Sequence, residues 1–450
     1  MASRKDLLKA QTFTSQRLVK ALVDRSPDGL DSPLRRASMG TFASVMISVL
    51  MVAAFGIIGW IHPGSSQKWK ADKTVVVDTD AGVVFAFLGA SLYPAYNITS
   101  AKLATGGGPT VRVKSKSLAH FPRKPEIGIP DAPAELPDPS LMDGYPIQLC
   151  SSAPKAKSRF ITVEIGRSGP PPSGNPAVAV QDSAGSDYLV IEGRIHQVPN
   201  SQTGGAPLLN KLGFIQSMQP GNAFLRGLPA GTPLSPPKIP RLGTRSSSPS
   251  GKAVKVGDVL QDTTANTSYV LLSDGMTPIT DLQAAELEVT TRQSQPYPVD
   301  ANTAAASRSA TKIIPPADLP AKRPDPTQAP ADTGSSSVCA TWTDNDKPPR
   351  LSFGDPTPEV TSHAGSGAAD KVVMAPVTGA LLQPNSATGD ANISLITDGK
   401  RYGLADATAR TAIGYGTSRV LRVPDQMLSL IPGGLKTGVL SIEAASPPKQ

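Results

Sequence analysis

A single uncharged apolar run near the N-terminus constrains this chain more than any other feature of its sequence. The run covers residues 41–61 and reads TFASVMISVLMVAAFGIIGWI. At about 1.5 Å per residue, a helix of this length crosses the ~30 Å hydrocarbon layer of a bilayer. A cleaved signal peptide is the alternative, but it has a short basic start and a small-x-small cleavage site. Forty residues precede this run and no convincing Ala-x-Ala site follows it, so we predict an uncleaved transmembrane helix.

The residues on either side of the run predict its orientation. Arg35 and Arg36 immediately precede it, whereas Lys68 and Lys70 lie further out on the other side, beyond Pro63-Gly64. Because Lys and Arg concentrate in cytoplasmic segments, the N-terminus is predicted to be cytoplasmic and the chain after residue 61 extracytoplasmic. The aromatic and imidazole side chains that flank the end of the run are expected at the membrane interface: Trp60, His62 and Trp69.

The N-terminal segment is basic, with eight Lys or Arg against four Asp in residues 1–40. Contact with anionic membrane lipid and membrane orientation explain this charge, and no basic-aromatic interleaving points to nucleic acid. Residues 5–25 carry leucines near helical spacing, which predicts a short amphipathic helix that lies on the membrane or against a partner protein. A frayed juxtamembrane helix is the plainer interpretation of the same pattern.

Two cysteines, Cys150 and Cys339, are too few for a disulfide scaffold or a cysteine-rich zinc site. Both follow the predicted span and therefore lie in an oxidising compartment, where a single disulfide between them is predicted. Two separately buried thiols are the alternative.

With 45 Pro and 40 Gly in 450 residues, extended and turn-rich structure should dominate the rest of the chain. Four stretches share a scheme of strand, Gly turn, strand and short helix; they begin at residues 82, 187, 267 and 392, and Asp398-Gly399 in the last predicts a two-residue hairpin turn. Proline-rich segments that suit ordered edge crossings follow each stretch. The order of stretches and cysteines is approximately symmetric, which predicts a central β core flanked by four small repeat modules in a quasi-two-fold, elongated β-rich α+β domain. The alternative is that the four stretches are unrelated hairpins that share a Gly turn by coincidence.

These patterns divide the chain into predicted segments. Residues 291–337 lack aliphatic periodicity, apart from Ile313-Ile314, and are predicted to be a long mobile loop or linker. The predicted segments are a cytosolic segment with the amphipathic helix (1–40), a transmembrane helix (41–61), a juxtamembrane linker (62–80), repeat 1 (81–142), the first segment of the central core (143–180), repeat 2 (181–245), a core strand or linker (246–266), repeat 3 with a flexible loop (267–322), the second segment of the central core (323–370), and repeat 4 with the C-terminal tail (371–450).

The chain also resembles a known family along nearly its whole length. The strings that carry the resemblance are QRLVKALV from residue 16, DSPLRR from 31, LYPAYNITSAKLATG from 92, IGIPDAPAELP from 127, LPAGTPLSPPKIP from 228, LITDGKRYGLAD from 395 and IGYG from 413, with one cysteine at each expected place. Taken in order they resemble EccB proteins of actinobacterial type VII (ESX) secretion systems. Two departures are Tyr145, where a tryptophan is common, and a less basic region at Gly29 and Leu30.

This resemblance implies a subunit of the inner-membrane core complex that includes EccC-, EccD- and EccE-like subunits. It further implies docking of a mycosin protease and export of WXG100-class cargo. Self-association and cell-wall contact are additional expectations. The cell-wall contact follows from the similarity of the family's repeat modules to a cell-wall-binding phage lysin subunit. The alternative function is a membrane-anchored periplasmic binding module or nucleotide hydrolase that acts on its own.

Some relatives are labelled ATPases, but the sequence offers no phosphate-binding G-x-x-x-x-G-K-[ST] motif. The three motifs of penicillin-recognising enzymes occur in order: S-x-x-K at residues 65–68, S-x-N at 173–175 and K-T-G at 436–438. However, S-x-x-K recurs twice more in the chain, and Ser65 directly follows the predicted membrane span. These matches therefore do not indicate a transpeptidase. The four histidines (His62, His120, His196 and His363) have no metal-ligand neighbour at helical or hairpin spacing. We therefore predict no catalytic site, no cofactor and no metal.

Overall fold

The computed structural model describes residues 3–24, 33–61, 67–152, 159–166, 176–199, 207–247, 253–262, 264–326, 337–354, 357, 360, 363 and 367–448. The chain divides into two compact units, Met1–Lys68 and Trp69–Gln450.

Two helices form the N-terminal unit, α1 (Arg4–Asp24) and α2 (Pro33–Ile61). Helix α1 nearly coincides with residues 5–25, for which a helix was predicted. Within α2, Ser38–Ile57 is long and apolar enough to cross a membrane, and its side chains are exposed. The helix begins eight residues before the predicted span, so the end of the predicted cytosolic segment is helical. Pro33 suits this start, because proline at a first helical position has no N–H to leave unpaired.

The second unit opens with a four-stranded sheet, sheet 1, in the order β3-β2-β1-β4. Strand β1 is antiparallel to β2 and parallel to β4. Val76 and Phe87 pack with Trp69 on one face of the sheet, and Val75 packs towards α3 on the other. The elements are β1 (Thr74–Asp78), β2 (Val84–Leu88), β3 (Ser91–Ala95), α3 (Ile98–Ala104), β4 (Thr110–Val113) and α4 (Ser115–Leu118).

The next elements are β5 (Ile147–Ser152) and β6 (Phe160–Ile165), followed by sheet 2, which has three strands in the order β7-β8-β9. A two-stranded hairpin, β10-β11, comes after sheet 2. The elements of these two sheets are β7 (Val178–Gln181), β8 (Asp187–Ile191), β9 (Arg194–Gln197), α5 (Pro207–Lys211), α6 (Asn222–Gly227), β10 (Arg245–Ser247) and β11 (Ala253–Lys255).

Sheet 3 has the strand order β14-β13-β12-β15, with β15 parallel to β12. Its long helix, α7, begins with a capping box in which Thr280 and Gln283 bond each other's backbone N–H at 3.2 and 3.1 Å. The elements are β12 (Val259–Asp262), β13 (Thr267–Leu272), β14 (Gly275–Ile279), α7 (Asp281–Thr291), β15 (Tyr297–Val299) and α8 (Ala301–Ala306).

The central sheet gathers strands from distant parts of the chain in the order β17-β16-β5-β6-β18, with β16 antiparallel to β5. Its three new strands are β16 (Val338–Trp342), β17 (Arg350–Phe353) and β18 (Lys371–Val373). Sheet 4 follows in the order β21-β20-β19-β22, with β22 parallel to β19. Its elements are β19 (Gly379–Pro384), β20 (Ser394–Thr397), β21 (Lys400–Gly403), α9 (Ala407–Ala412), β22 (Val420–Val423), α10 (Asp425–Leu430) and α11 (Ile442–Ala445).

Local turn chemistry gave two correct predictions. Asp398 and Gly399 connect β20 to β21 with φ of 50° and 70°, the left-handed conformations that a two-residue hairpin turn needs. Three of the four proline-rich segments, those beginning at residues 127, 227 and 430, also run along sheet edges. The Ile127 N–H donates to the Pro94 carbonyl of β3, and the N–H groups of Ile195 and Arg401 donate to the carbonyls of Pro229 and Pro432, all at 2.8–3.0 Å. These segments therefore cover the β3, β9 and β21 edges.

Several predicted boundaries are corrected by the strand pairing. Strand β1 lies in the predicted linker 62–80, β12 in the predicted core strand or linker 246–266, and β7 within the predicted core segment 143–180. The predicted loop 291–337 contains β15 and α8, and residues 327–336 of that loop lie outside the described residues. The sequence pattern located the second hairpin of each sheet by its short Gly turn. In sheets 1, 3 and 4 the first strand is joined to the second by a longer turn and pairs in parallel with a strand 35–39 residues away, which leaves no local signal.

Helices join neighbouring sheets. Helix α3 packs against α9 and α11, α5 against α7, and α6 against α10. The α6–α10 contact adjoins the largest hydrophobic cluster, where Phe224 and Met427 are buried together with Leu149 of the central sheet. Truncating a side chain such as Phe224 to alanine typically costs about 3–5 kcal/mol, so these joints hold the sheets in fixed positions.

Candidate functional site

The second unit contains one covalent tie between its described residues, the pair Cys150 and Cys339. These residues lie directly opposite each other on β5 and β16, with their Cα atoms 4.1 Å apart, and they form a disulfide. Both are fully buried. The bridge joins chain positions that are 189 residues apart. It therefore ties the region of the chain that carries sheet 1 to the region that leads into sheet 4.

A second tie connects the central sheet to sheet 4. The Tyr145 hydroxyl lies 2.6 Å from Asn345 Oδ1 and 2.9 Å from the Arg422 carbonyl oxygen, and Asn345 Oδ1 accepts the Arg422 N–H at 2.9 Å. Burial raises the pKa of Tyr145 to about 12, so the hydroxyl stays a hydrogen-bond donor at physiological pH. Arg422 lies in β22, which means that these side chains cap the outer edge of sheet 4.

A third tie joins sheets 2 and 3. Asp318 accepts hydrogen bonds from the Thr232 N–H at 2.7 Å and the Thr232 hydroxyl at 2.8 Å. Burial raises the pKa of Asp318, but these hydrogen bonds outweigh it and hold the pKa below its usual value. The Thr232 carbonyl lies 2.8 Å from Nδ1 of His196, a fully buried side chain of β9. His196 is therefore part of this joint, and its buried Nε2 has no hydrogen-bond partner among the described residues.

Two buried carboxylates of α7 differ in their surroundings. Glu288 lies 2.8 Å from Lys211 Nζ on α5 and 3.6 Å from Arg323, so it forms an ion pair across the sheet 2–sheet 3 joint. Burial of Glu286 raises its pKa to about 8, and its Oε1 has no hydrogen-bond partner in the described part of the chain. A lone carboxyl in such surroundings is neutral at pH 7 and does not by itself provide a catalytic pair.

Residues singled out for chemistry in the sequence do not converge. His120 is exposed, and the His363 Nδ1–H donates to the Asp370 carboxylate at 3.1 Å while its ring stacks on Phe160. Lys436 is exposed and lies 3.8 Å from Asp131. His62, residues 65–66 and residues 173–175 lie outside the described residues. No group of three or more His, Cys, Asp or Glu able to hold a metal occurs among the residues described.

The membrane-proximal predictions have mixed outcomes. Trp69 was expected at the membrane interface but is 2% exposed, and its ring makes edge contacts with Phe121 at 4.7 Å and Phe87 at 5.7 Å. Trp69 belongs to the core of sheet 1, because the neighbouring aromatic rings enclose its side chain in apolar surroundings. The side chains of Arg35 and Arg36, which carry the orientation prediction, lie outside the described residues, so the orientation stays a prediction.

Nearly the whole chain matches one protein family. Residues 1–446 match the model of the family described as type VII secretion system ESX-1, transport TM domain B, which is EccB. The chain belongs to the EccB family. One candidate transmembrane helix followed by a β-rich α+β domain is thus the architecture of an EccB protein.

Individual EccB relatives are distant in sequence. ESX-2 secretion system ATPase EccB2 of Mycobacterium tuberculosis is 32% identical over 257 residues, which are 54% of this chain and 51% of that protein. The chain therefore spans about half the length of this relative. ESX-1 secretion system ATPase EccB1 of Mycolicibacterium smegmatis is 27% identical over 467 residues, covering 96% of this chain and 92% of that protein.

Chains of solved ESX complexes share the fold. A chain of the intact ESX-5 inner membrane complex has a TM-score of 0.60 and 23% identity, with 99% of this chain and 95% of that chain covered. The EccB3 dimer from the ESX-3 core complex gives a TM-score of 0.63 and 24% identity, with 83% and 99% covered. At this identity the likeness establishes the fold.

Proposed function

We propose that this chain is a structural subunit of an ESX inner membrane complex that supports protein export across the membrane. The observation that carries the proposal is the family match over residues 1–446, joined to a fold shared with a chain of an intact ESX-5 inner membrane complex. The disulfide and the three helix joints suit this role, because they hold several surfaces in fixed positions for assembly.

Sheets 1 to 4 are best explained as four repeat modules in a quasi-two-fold arrangement around the central sheet. Three of them have the same strand order, with the fourth strand parallel to the first. A further correspondence supports the pairing of sheets 2 and 4. Asn222 at the start of α6 bonds the N–H and hydroxyl of Ser183, and Asp425 at the start of α10 bonds the same groups of Ser386, 39 residues away in both cases.

The N-terminal unit is assigned the cytoplasmic and membrane-spanning parts of this role. Arg35 and Arg36 before the span orient the N-terminus to the cytoplasm. Helix α1 exposes Leu7, Leu8 and Leu18 together with basic residues, so it can contact anionic lipid or the EccC-, EccD- and EccE-like subunits. A mycosin protease is the expected extracytoplasmic partner, and WXG100-class proteins are the expected cargo.

The alternative is a membrane-anchored periplasmic binder or hydrolase that acts alone. The names of the relatives include ATPase, but the sequence has no Walker A motif that would place backbone N–H groups and a lysine around phosphates. A structural subunit does not require a phosphate-binding site. Incubation of the purified chain with labelled ATP tests the alternative: turnover that persists through stringent purification would favour the hydrolase.

Copurification tests the proposal directly. The full chain, extracted from its native membrane in mild detergent, should isolate with EccC-, EccD- and EccE-like subunits. Deletion of residues 4–24 should leave the chain inserted at normal levels but reduce recovery of these partners, whereas Tyr96→Phe, at an exposed position of sheet 1, should change neither. A chain that runs alone under these conditions is not a subunit of the complex.

A membrane-impermeant thiol reagent tests the orientation. A cysteine placed at Ser3 should be protected in intact cells and one at Ser446 should react. The reverse pattern would place the N-terminus outside and overturn the assignment of α1 to the cytoplasm.

A further inference from the structure

The outer edges of the four small sheets differ in a way that points to a binding site. In sheets 1, 3 and 4 the fourth strand pairs with the first on one side only, so alternate residues direct N–H and C=O groups away from the sheet. Such an exposed row is a template for another strand, and proteins normally block it.

Sheets 3 and 4 are blocked at the same relative position. Parallel pairing of β15 with β12 directs Tyr297 and Val299 inward and leaves Pro298 outward, where proline has no N–H to offer. In β22 the corresponding outward residue is Arg422, whose N–H donates to Asn345 Oδ1 at 2.9 Å and whose carbonyl oxygen lies 2.9 Å from the Tyr145 hydroxyl. Neither edge can receive a further strand at this point.

Sheet 2 has no fourth strand among the described residues, but the edge formed by β7 is also covered. Strand β7 is met by Met218, which accepts from the Gln181 N–H at 2.8 Å and donates to the Ala179 carbonyl at 2.9 Å. Pro326 forms a bridge with Ala177 at the start of the same edge.

The equivalent edge of sheet 1 is open. The Val75 N–H donates to the Pro109 carbonyl and the Thr79 N–H to the Val113 carbonyl, both at 2.9 Å, which fixes Val111 and Val113 as the inward residues of β4. Thr110 and Arg112 therefore point their backbone groups outward. Both residues are exposed, and no hydrogen bond to their outward N–H or C=O groups occurs within the described residues.

Charge at this edge narrows the choice of partner. Arg112, Lys114 and Lys116 are all exposed on or directly after β4. The nearby Asp80 carboxylate accepts the Ser115 N–H at 3.1 Å, and the Asp78 carboxylate accepts the Ser115 hydroxyl at 2.7 Å, so both acids are engaged by the start of α4. Pairing two copies of this edge would bring like charges together, which disfavours a second copy. A strand with acidic side chains complements the positive charge of the β4 edge.

We propose that the outer edge of β4 binds an extended, acidic segment of another subunit of the membrane complex by strand addition. The outward N–H and C=O groups of Thr110 and Arg112 form the inter-strand hydrogen bonds. The positive charges of Arg112, Lys114 and Lys116 favour an acidic partner. This inference rests on the proposed function, because it takes the partner from the assembled complex.

Hydrogen–deuterium exchange of the full chain tests the site. The exchange of amides 110 and 112 is compared between the purified chain in detergent and the copurified complex, with fragmentation that resolves single amides. We expect both amides to exchange at least tenfold more slowly in the complex. The inward amide of Val111 should be protected in both samples and serves as the internal reference.

Two variants separate backbone pairing from charge. Arg112→Pro removes the outward N–H at the position where sheet 3 has Pro298, so the inward ladder and the fold should survive; it should reduce partner retention and abolish the protection at Thr110. Arg112→Ala keeps the N–H and should retain protection with weaker binding that is less sensitive to salt. Thermal melting of each variant alone confirms that sheet 1 is folded.

The exchange experiment distinguishes a failure of the strand-addition site from a failure of the proposed membership of the complex. If the complex assembles but Thr110 and Arg112 exchange as fast as in the purified chain, the strand-addition site is overturned and membership of the complex stands. Protection that rises with the concentration of the purified chain alone would identify a second copy and overturn the acidic partner. If no complex assembles, both proposals are wrong.

Discussion

Cys150 and Cys339 face each other across β5 and β16 and are covalently joined, although 189 residues separate them in the chain. Closing so long a loop disfavours the unfolded chain by about 5 kcal/mol in the chain-entropy model. We expect reduction, or the double variant Cys150→Ala/Cys339→Ala, to lower the free energy of unfolding by up to this amount in denaturant titrations. The double variant is its own control, since reductant should not change its stability. Free thiols alkylated at both positions before reduction would contradict the bridge.

The cap on sheet 4 predicts coupled effects of two substitutions. Tyr145→Phe removes the hydroxyl near Asn345 and Arg422, and Asn345→Ala removes the acceptor of the Arg422 N–H. Each should cost about 1–3 kcal/mol of unfolding free energy, because a partly buried polar group loses its partner. The double variant should cost less than the sum of the single ones. Strict additivity would mean that the hydroxyl and the amide do not act together.

Glu286 predicts an unusual pH dependence of stability. Its pKa is raised by burial from 4.5 to about 8, so between these values the folded state keeps a proton that the unfolded state releases. Stability should therefore fall as pH rises through this window and level off above pH 8. Glu286→Gln should remove this slope and, at pH 7.5, stabilise the protein by on the order of a few kcal/mol.

Unfolding titrations at pH 5.5 and 7.5 measure the Glu286 effect. Glu443→Gln, at an exposed position of α11, should follow the wild type at both pH values. Equal pH slopes for the wild type and Glu286→Gln would show that Glu286 is ionised in the folded protein.

Asp318 predicts a pH effect of the opposite sign at the joint between sheets 2 and 3. Its pKa is lowered below 3.8, so its contribution to stability is present above the unfolded value and is lost as pH falls through the folded pKa. Asp318→Asn should destabilise the protein by about 1 kcal/mol at pH 7, since the hydrogen bonds from Thr232 lose their charged acceptor. The difference in unfolding free energy between the wild type and Asp318→Asn should become smaller at acidic pH. Asp325→Asn, on the same segment but exposed, should have no effect at either pH.

Some of this architecture follows from local sequence. The apolar run after residue 40 predicts α2, and Asp398-Gly399 predicts the turn between β20 and β21, because length, charge and backbone preference act over a few residues. The proline-rich segments were placed at sheet edges for the same reason. The number of the cysteines and their predicted compartment indicate a disulfide, although the sequence does not show that their strands are adjacent.

Contacts between distant segments decided the rest. Trp69 is in a core because Phe87 and Phe121 close around it, and nothing in its own neighbourhood distinguishes this from an interfacial tryptophan. The parallel pairing of β1 with β4 unites segments about 35 residues apart, so neither the start of sheet 1 nor its open edge can be read from spacing. The same holds for Tyr145 and Glu286, whose surroundings exist only after the sheets pack. Local preference determined the membrane helix and the turns, whereas packing between distant strands determined which residues became core, joint or exposed edge.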